Sequence, residues 1–166
     1  METDHASGGS LVYEVPAILS WPGHLPEGKR FDNVISSLDL NTTMIDALQS
    51  PALPHSRGRS LLPLMHNENT SWDNVAFSEF CQDSAGGGGP FPPEGVYQRM
   101  IRQDEWKFNY YHKQPCQLFN LREDPDELND RSNDPACQNM IKDFTARVLD
   151  GWNPDTIASQ MTARNK

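Results

Sequence analysis

QRMIRQDEWKFNYYHKQPCQLFNLREDPD, residues 98–126, is the stretch that decides the fold of this chain. Within and just before it, residues 97–102, 107–111 and 117–121 form three runs rich in aromatic and branched side chains, separated by short polar connectors. Runs joined by connectors of about three to five residues are typical of antiparallel neighbours. We therefore predict an antiparallel ladder, which needs another element to cover its apolar face.

The residues that follow the ladder predict the helix that covers it. Asp134 followed by Pro135 is a typical helix start, with the aspartate as N-cap and the proline at the first helical position. Five apolar residues then recur at helical spacing: Cys137, Met140, Ile141, Phe144 and Val148. Gly151 ends the pattern. We expect a helix over residues 135–150 whose apolar stripe packs on the sheet.

Further elements are predicted upstream of the ladder. Residues 75–80 indicate a fourth strand, and residues 60–65 a short helical turn after Gly58, which we place at a positive φ. A helix is predicted to start with Asp39 as its N-cap, and its apolar face consists of Leu40, Met44, Ile45 and Leu48. Residues 11–21 are nearly all apolar around one proline, which suggests a strand buried on both faces.

Composition and charge limit the partners of the chain. The 166 residues fit one domain, and the net charge of −9 argues against nucleic acid or an anionic membrane. We see no apolar run long enough to span a bilayer, and residues 1–10 lack the pattern of a signal peptide. A cytoplasmic location is the default expectation. Three widely spaced cysteines, an odd number, are expected to be reduced thiols: Cys81, Cys116 and Cys137.

Other side chains that could carry chemistry have simpler interpretations. The histidines in predicted loops are expected to be solvated: His24, His55, His66 and His112. Glu79, in an apolar strand, needs a partner such as Arg99 or Arg102. The run of four glycines at 86–89 is followed by prolines and favours a surface loop over a phosphate cradle. The acidic turn around Asp124 lacks the ligand order of a calcium loop.

Several short motifs occur in an order that resembles the C-terminal portion of a sulfatase, in the alkaline-phosphatase-like superfamily. The first are YEVPAI at 13–18, WPG at 21–23, SLDL at 37–40, GRSLLPL at 58–64 and SEF at 78–80. The closing ones are RMIR at 99–102, WKF at 106–108, LFNL at 118–121 and DPDELN at 124–129. The resemblance covers about residues 11–150, and its strength lies in the ordered series rather than in any single motif.

The resemblance implies a fold class and a division of the chain. It implies an α+β fold, the C-terminal part of an α/β alkaline-phosphatase-like fold, with a small antiparallel sheet of about four strands covered by a C-terminal helix. Residues 1–10 are a disordered or remnant N-terminus and residues 11–75 a remnant of the α/β core. Residues 76–151 are the C-terminal sulfatase subdomain, and residues 152–166 are a tail. In the family the closing subdomain borders the substrate pocket, so the resemblance implies that the loop at 81–95 shapes specificity.

The chemistry of the family depends on residues that this sequence lacks. A sulfatase hydrolyses sulfate esters with a formylglycine made from Cys or Ser in a C/S-x-P-x-R motif, assisted by a divalent cation, usually calcium. No Cys or Ser of this chain begins that motif, so we expect no catalytic residue. TDHA at 3–6 resembles a metal-ligating passage and makes Asp4 and His5 candidate ligands. The alternative is an unstructured start with two chance residues.

Three functional hypotheses follow. In the first, the chain is the C-terminal fragment of a sulfatase-like sulfuric ester hydrolase that is inactive alone. Calcium and a sulfate ester substrate then belong to a complete parent enzyme, and a sulfatase core chain is a candidate partner. In the second, the chain is a non-catalytic structural or oligomerisation module derived from a sulfatase, with another copy of itself as partner. In the third, it is a gene fragment without a selected function.

Overall fold

The computed structural model describes residues 17–67, 69–82 and 95–164. These residues fall into two units, Met1–Arg30 and Phe31–Lys166. In the first unit, Trp21 stacks on His24 with ring centroids 4.1 Å apart, and the carbonyl oxygen of Trp21 accepts hydrogen bonds from the N–H groups of His24 and Leu25. This part of the chain forms turns and irregular backbone.

The structure shows no strand in residues 17–21, the described part of the strand predicted at residues 11–21. Residues 11–16 lie outside the described residues, and residues 17–21 have no regular secondary structure. Ile18 is 92% exposed and Leu19 39% exposed, so this part of the predicted strand is wrong. The apolar run indicated a strand buried on both faces, but such a strand needs cover on each face, and these two side chains are solvated instead.

Four strands of the second unit form one antiparallel sheet in chain order. They are β1 (Val75–Gln82), β2 (Val96–Gln103), β3 (Trp106–Tyr111) and β4 (Gln117–Asn120). The ladder predicted from the sequence is therefore confirmed, as is the fourth strand, which extends two residues further. Between β2 and β3 the chain reverses at Asp104, whose φ of 48° is the left-handed conformation that tight hairpins require.

A helix covers one face of this sheet, as predicted. Ile101, Phe108 and Leu118 lie directly opposite one another on β2, β3 and β4, and each is fully buried. A 3₁₀ turn (Pro135–Cys137) leads into α3 (Gln138–Leu149). Cys137, Phe144 and Val148 pack against these three side chains of the sheet, and Met140 and Ile141 are partly buried beside them. Asp134 caps the start by accepting a hydrogen bond of 2.9 Å from the N–H of Ala136.

The other face of the sheet is polar and also buried. Lys107 is 0% exposed, and its ammonium group forms an ion pair with the carboxylate of Glu127. The same ammonium lies 5.9 Å from the centre of the Phe119 ring, its neighbour on β4. Burying a lysine is costly unless its charge is compensated, so this pair is a condition for the sheet to close on that side.

The first helix differs from its prediction in both its cap and its buried face. α1 comprises Ser37–Ala47, and its N-cap is Ser36. Asp39, predicted as the cap, is instead the third helical residue, and its carboxylate accepts the Ser36 N–H at 2.8 Å to complete a capping box. Met44 is 53% and Leu48 76% exposed, whereas Asp39 and Thr43 are buried. The polar side of α1 thus packs inward.

Two further helices are present in the described residues. α2 (Leu62–His66) confirms the predicted helical turn, and α4 (Pro154–Arg164) lies in the segment predicted as a tail. Gly58, which precedes α2, does not have the positive φ that was predicted. No described helix has the length and apolar character to cross a membrane.

Candidate functional site: a cleft beside the first strand

A cleft of about 380 Å³ lies along β1, within the second unit. It is lined by Ser36, Leu38 and Asp39 at the start of α1, by Arg57, Arg59 and Asp73, and by Arg99 with residues 75–79 of the sheet. The cleft therefore combines an apolar floor with three arginines and three carboxylates. The charged groups differ in how far their charges are compensated by neighbouring groups.

Asp39 holds the helix wall of the cleft together. One carboxylate oxygen accepts the Ser36 N–H and the other accepts the Arg59 N–H, both at 2.8 Å. Its carbonyl oxygen accepts the Thr43 hydroxyl at 2.6 Å, and that hydroxyl accepts the Leu61 N–H at 2.8 Å. Both oxygens of this buried carboxylate are thus occupied by backbone donors.

Gly58 allows this wall to close. A Cβ atom at this position would collide with the backbone carbonyl of Leu38 and with the Thr42 hydroxyl. The chain therefore needs a glycine here for close approach rather than for an unusual φ angle. We expected Gly58 to have a positive φ, whereas the glycine is needed because the Leu38 carbonyl lies so close.

The charge of Arg59 is compensated within the cleft. Its guanidinium lies 3.8 Å from the centre of the Trp72 ring and donates a hydrogen bond of 2.9 Å to the carbonyl oxygen of Asp73. The Asp73 carboxylate is 3.6 Å away. Trp72 is itself fixed by a 2.9 Å hydrogen bond from its indole N–H to the carbonyl of Val34. Arg59 therefore has a stacking partner and an acid partner.

Arg99 is the buried arginine of the cleft and serves the end of α3. It is 9% exposed and donates hydrogen bonds to the carbonyl oxygens of Val148, at 2.8 Å, and Asp150, at 3.4 Å. A cation there compensates the free carbonyls and the negative end of the helix dipole. Burial lowers the pKa of Arg99, while Glu79, directly opposite on β1, raises it. The predicted pairing of Glu79 is thus electrostatic and with Arg99, whereas Arg102 bonds the carbonyl of Asp104.

Arg57 differs from the other two arginines. It is exposed on the rim of the cleft, and its charge contributes to the lowered pKa of Arg99, which places the two guanidinium groups near each other. Within the described part of the chain it forms no hydrogen bond or ion pair. Among the described residues of the cleft, Arg57 is therefore the arginine without a counter-ion.

The described residues do not fit a calcium site. Asp4 and His5, the candidate ligands, lie outside the described residues. Residues 17–67, 69–82 and 95–164 contain no group of three or more His, Cys, Asp or Glu side chains that could hold a metal. Calcium takes six to eight oxygen ligands, whereas Asp39 is saturated by backbone N–H groups and Asp73 faces Arg59.

One histidine differs from the prediction that all are solvated. The side chain of His112 is only 14% exposed, and its Nε2 atom lies 3.0 Å from the carboxylate of Asp155 in α4. Lys113 donates to the same oxygen at 3.0 Å. Hydrogen bonds from Lys113 and His112 hold the pKa of Asp155 below its usual range. His55 and His66 are exposed, as predicted.

The cysteines are free thiols, as predicted, and none is activated. Burial, with the nearby Glu79 carboxylate, raises the pKa of Cys81 to about 12. Burial also raises the pKa of Cys116 and of Cys137. Reactive cysteines have lowered pKa values, so these three thiols are poor nucleophiles at neutral pH.

Asp124 accepts the N–H groups of Leu128 and Asn129, which agrees with a solvated turn.

This architecture and its sequence match a known class of enzyme domain. The model of the family described as "N-sulphoglucosamine sulphohydrolase, C-terminal" matches residues 10–152. The chain belongs to this family, and the predicted resemblance to the C-terminal portion of sulfatases is confirmed. So is the α+β fold, with its four-stranded antiparallel sheet.

Several curated and solved proteins are similar to it. Arylsulfatase K of Gallus gallus is 33% identical over 129 residues, which are 69% of this chain and 21% of that protein. The Homo sapiens arylsulfatase K is 32% identical with the same coverage. A putative sulfatase from Bacteroides thetaiotaomicron has a TM-score of 0.61 and 20% identity, over 76% of this chain and 27% of that one. The chain spans about a fifth of the arylsulfatase K proteins it matches.

Proposed function

We propose that this chain is the C-terminal part of a sulfatase-like sulfuric ester hydrolase and that it does not hydrolyse sulfate esters by itself. In this proposal it supplies the helix-covered sheet of the enzyme, while the nucleophile and most metal ligands come from other residues. Calcium and a sulfate ester are then the cofactor and substrate of the complete enzyme. Asp4 and His5 are the metal ligands that this chain would contribute.

The observation that carries the proposal is the contrast between its family match and its sequence. The match extends over residues 10–152, yet no Cys or Ser in the sequence begins a C/S-x-P-x-R motif. The raised pKa values of all three thiols support the same conclusion, because sulfur held as a neutral thiol does not attack an ester. Among the described residues, the cleft offers Arg57 as a cation that can hold an anion, but no activated nucleophile.

A direct assay tests this proposal. The purified chain is incubated with 4-nitrophenyl sulfate and calcium, with a complete arylsulfatase as positive control. We expect no release of nitrophenol above the buffer rate. Turnover that scales with the concentration of the chain and coelutes with it in gel filtration would refute the inactivity. If such turnover survived replacement of each cysteine by alanine, its chemistry would also lie outside the formylglycine mechanism.

A second candidate function rests on α4. This helix begins at Pro154, two residues beyond the end of the family match. It is anchored through Trp152, which is 7% exposed and packs edge-on against Tyr110, and through the pairs of Asp155 with His112 and Lys113. Such an addition favours a structural or oligomerisation module whose partner is another copy of the chain or a sulfatase core chain.

Native mass spectrometry separates this alternative from the first proposal. The full chain is compared with a variant that ends at Asn153 and so keeps Trp152 but loses α4. A role in self-association predicts an oligomer for the full chain and a monomer for the shortened one. The same mass state for both variants would remove the oligomerisation role and leave the first proposal untouched.

A further inference from the structure

The backbone of β1 is paired with β2 along one edge, and no described strand pairs with its other edge. In the β2–β3 hairpin the odd-numbered residues of β2 face β3, as the hydrogen bond from the His112 N–H to the Tyr97 carbonyl shows. Backbone groups alternate in direction along a strand, so the even-numbered residues of β2 face β1. The register pairs them with Ala76, Ser78 and Phe80. It follows that Phe77, Glu79 and Cys81 direct their backbone N–H and C=O groups away from β2.

These outward groups have no backbone partner in the part of the chain that the structure describes. Phe77, Ser78 and Glu79 are all exposed, and Phe77 remains 41% exposed although its ring lies 5.4 Å from the Arg99 guanidinium. An unpaired strand edge is a template for another strand. Within the described residues, β1 therefore presents a row of unpaired donors and acceptors beside a partly exposed aromatic ring.

The cleft lies along this open edge. Successive side chains of a strand point to opposite faces of the sheet. Five consecutive residues of β1, 75–79, line this cleft together with Arg99 of β2, so the cleft follows the strand edge and also reaches the face of the sheet that carries Glu79 and Arg99. At about 3.4 Å per residue, that length of edge faces four or five residues of an extended chain.

The charges beside the edge favour an acidic ligand. Arg59 is engaged by Trp72 and Asp73, and Glu79 is balanced by Arg99 across the ladder. The two oxygens of Asp39 are occupied by backbone donors. Arg57, whose guanidinium lies near Arg99, is then the cation of the cleft that still lacks a counter-ion within the described residues, and it can bind a carboxylate of a chain lying in the cleft.

We propose that β1 is a docking edge at which an extended acidic segment of a partner protein adds as a fifth strand of the sheet. The backbone of the segment bonds to the outward groups of Phe77, Glu79 and Cys81, and a glutamate or aspartate side chain reaches Arg57. Backbone pairing supplies affinity and the arginine supplies selectivity, as in other cases of strand addition. The occupant is a single extended segment, because the edge lies in a cleft with α1 opposite.

The test uses the full 166-residue chain, labelled with ¹⁵N, and a seven-residue peptide in which valine and glutamate alternate. A peptide with glutamine in place of glutamate is the matched control. On binding, we expect the amide signals of Phe77 and Glu79 to shift and their hydrogen exchange to slow. We expect the glutamine peptide to bind several-fold more weakly.

Paired variants separate the edge from its side chains. Glu79→Pro removes an outward N–H without breaking the bonds to β2, since proline is tolerated at the free side of an edge strand. Glu79→Ala makes the same charge change but keeps that N–H. We expect Glu79→Pro to bind the acidic peptide about tenfold more weakly than Glu79→Ala. Arg57→Gln should abolish the preference for the acidic peptide over the glutamine peptide.

Three outcomes would overturn the proposal. One is unchanged exchange at Phe77 and Glu79 in the presence of saturating peptide. Another is that Glu79→Pro and Glu79→Ala bind the acidic peptide with equal affinity while Arg57→Gln still prefers the acidic peptide to the glutamine peptide. The third is a dimer in sedimentation whose β1 amides are protected without any peptide, because the occupant would then be a second copy of the chain. The Arg57→Gln result stands even if Glu79→Pro fails to fold.

Discussion

The buried pair of Lys107 and Glu127 yields a sharp prediction because its two members are buried to different extents. The Lys107 side chain is 0% exposed, whereas the Glu127 side chain is 20% exposed. Glu127→Gln leaves the buried ammonium without its carboxylate, which costs about 3 kcal/mol or more. Lys107→Met leaves a carboxylate that can still reach water and keeps an apolar side chain of similar length beside Phe119. We expect that change to cost about 1 kcal/mol.

The measurement is a double-mutant cycle by urea denaturation. The double variant Lys107→Met with Glu127→Gln should cost about as much as Lys107→Met alone, since no buried ammonium remains. The coupling between the two sites is then about 3 kcal/mol. In thermal denaturation, Glu127→Gln should lower the Tm by about 6 to 12 °C for a chain of this length.

The order of the costs is the critical result. If Lys107→Met destabilises the chain as much as Glu127→Gln, the difference in burial does not control the energetics. If the costs of the two single variants simply add in the double variant, the two groups do not interact, and the ion pair has no role in closing this face of the sheet.

Three further predictions concern the core, a helix cap and the thiols. Phe144→Ala should destabilise the chain by about 3 to 5 kcal/mol in urea denaturation, because the ring is buried against Phe108, whereas Leu128→Ala at an 85% exposed side chain should change stability by less than about 0.5 kcal/mol. Asp134→Ala should lower the Tm at neutral pH, because the hydrogen bond from Arg131 holds the pKa of Asp134 low in the folded chain. The stability that Asp134 contributes is therefore present above the pKa of the unfolded chain, about 3.9, and is lost as the pH falls through the pKa of the folded chain. At that low pH the Tm difference between Asp134→Ala and the wild type should vanish. Iodoacetamide at pH 8 should leave Cys81 unmodified in the folded chain and label all three cysteines in urea, and rapid labelling of folded Cys81 would contradict its pKa of about 12.

The sheet and α3 were predictable because their signals are local. The runs rich in aromatic and branched residues within 97–121, with their short polar connectors, indicate the strands. Asp134, Pro135 and Gly151 mark the ends of the helical segment. The five apolar residues of that segment all contact or enter the core. Each of these signals is contained within about a dozen residues, so no knowledge of distant contacts is needed.

α1 and His112 were mispredicted because their partners are distant in sequence. The buried side of α1 is set by the N–H of Arg59, 20 residues beyond Asp39. His112 is held by Asp155, 43 residues away, in a segment that the sequence indicated as a tail. In both cases a polar side chain is buried because a specific hydrogen bond satisfies it. A prediction from residue type alone expects such a side chain to be exposed to solvent.

The candidate site was not predictable for the same reason. The cleft joins the start of α1, the loop at 57–59 and two strands, and its charge balance depends on which arginine faces which acid. The sequence pointed to Glu79 with Arg99 or Arg102, and the antiparallel register selects Arg99. Arg57 can be identified as the cleft arginine without a counter-ion among the described residues only when the partners of Arg59 and Arg99 are known.

Two of the family motifs prove to be one structural unit. SLDL at 37–40 and GRSLLPL at 58–64 meet where Asp39 accepts the Arg59 N–H and Thr43 accepts the Leu61 N–H. The approach is close enough that only glycine fits at position 58, against the Leu38 carbonyl. Because these contacts set the backbone on both sides of residue 58, they also set where Arg57 and Arg59 stand on the cleft wall. The pairing of the two motifs therefore determines the charge that faces the open edge of β1.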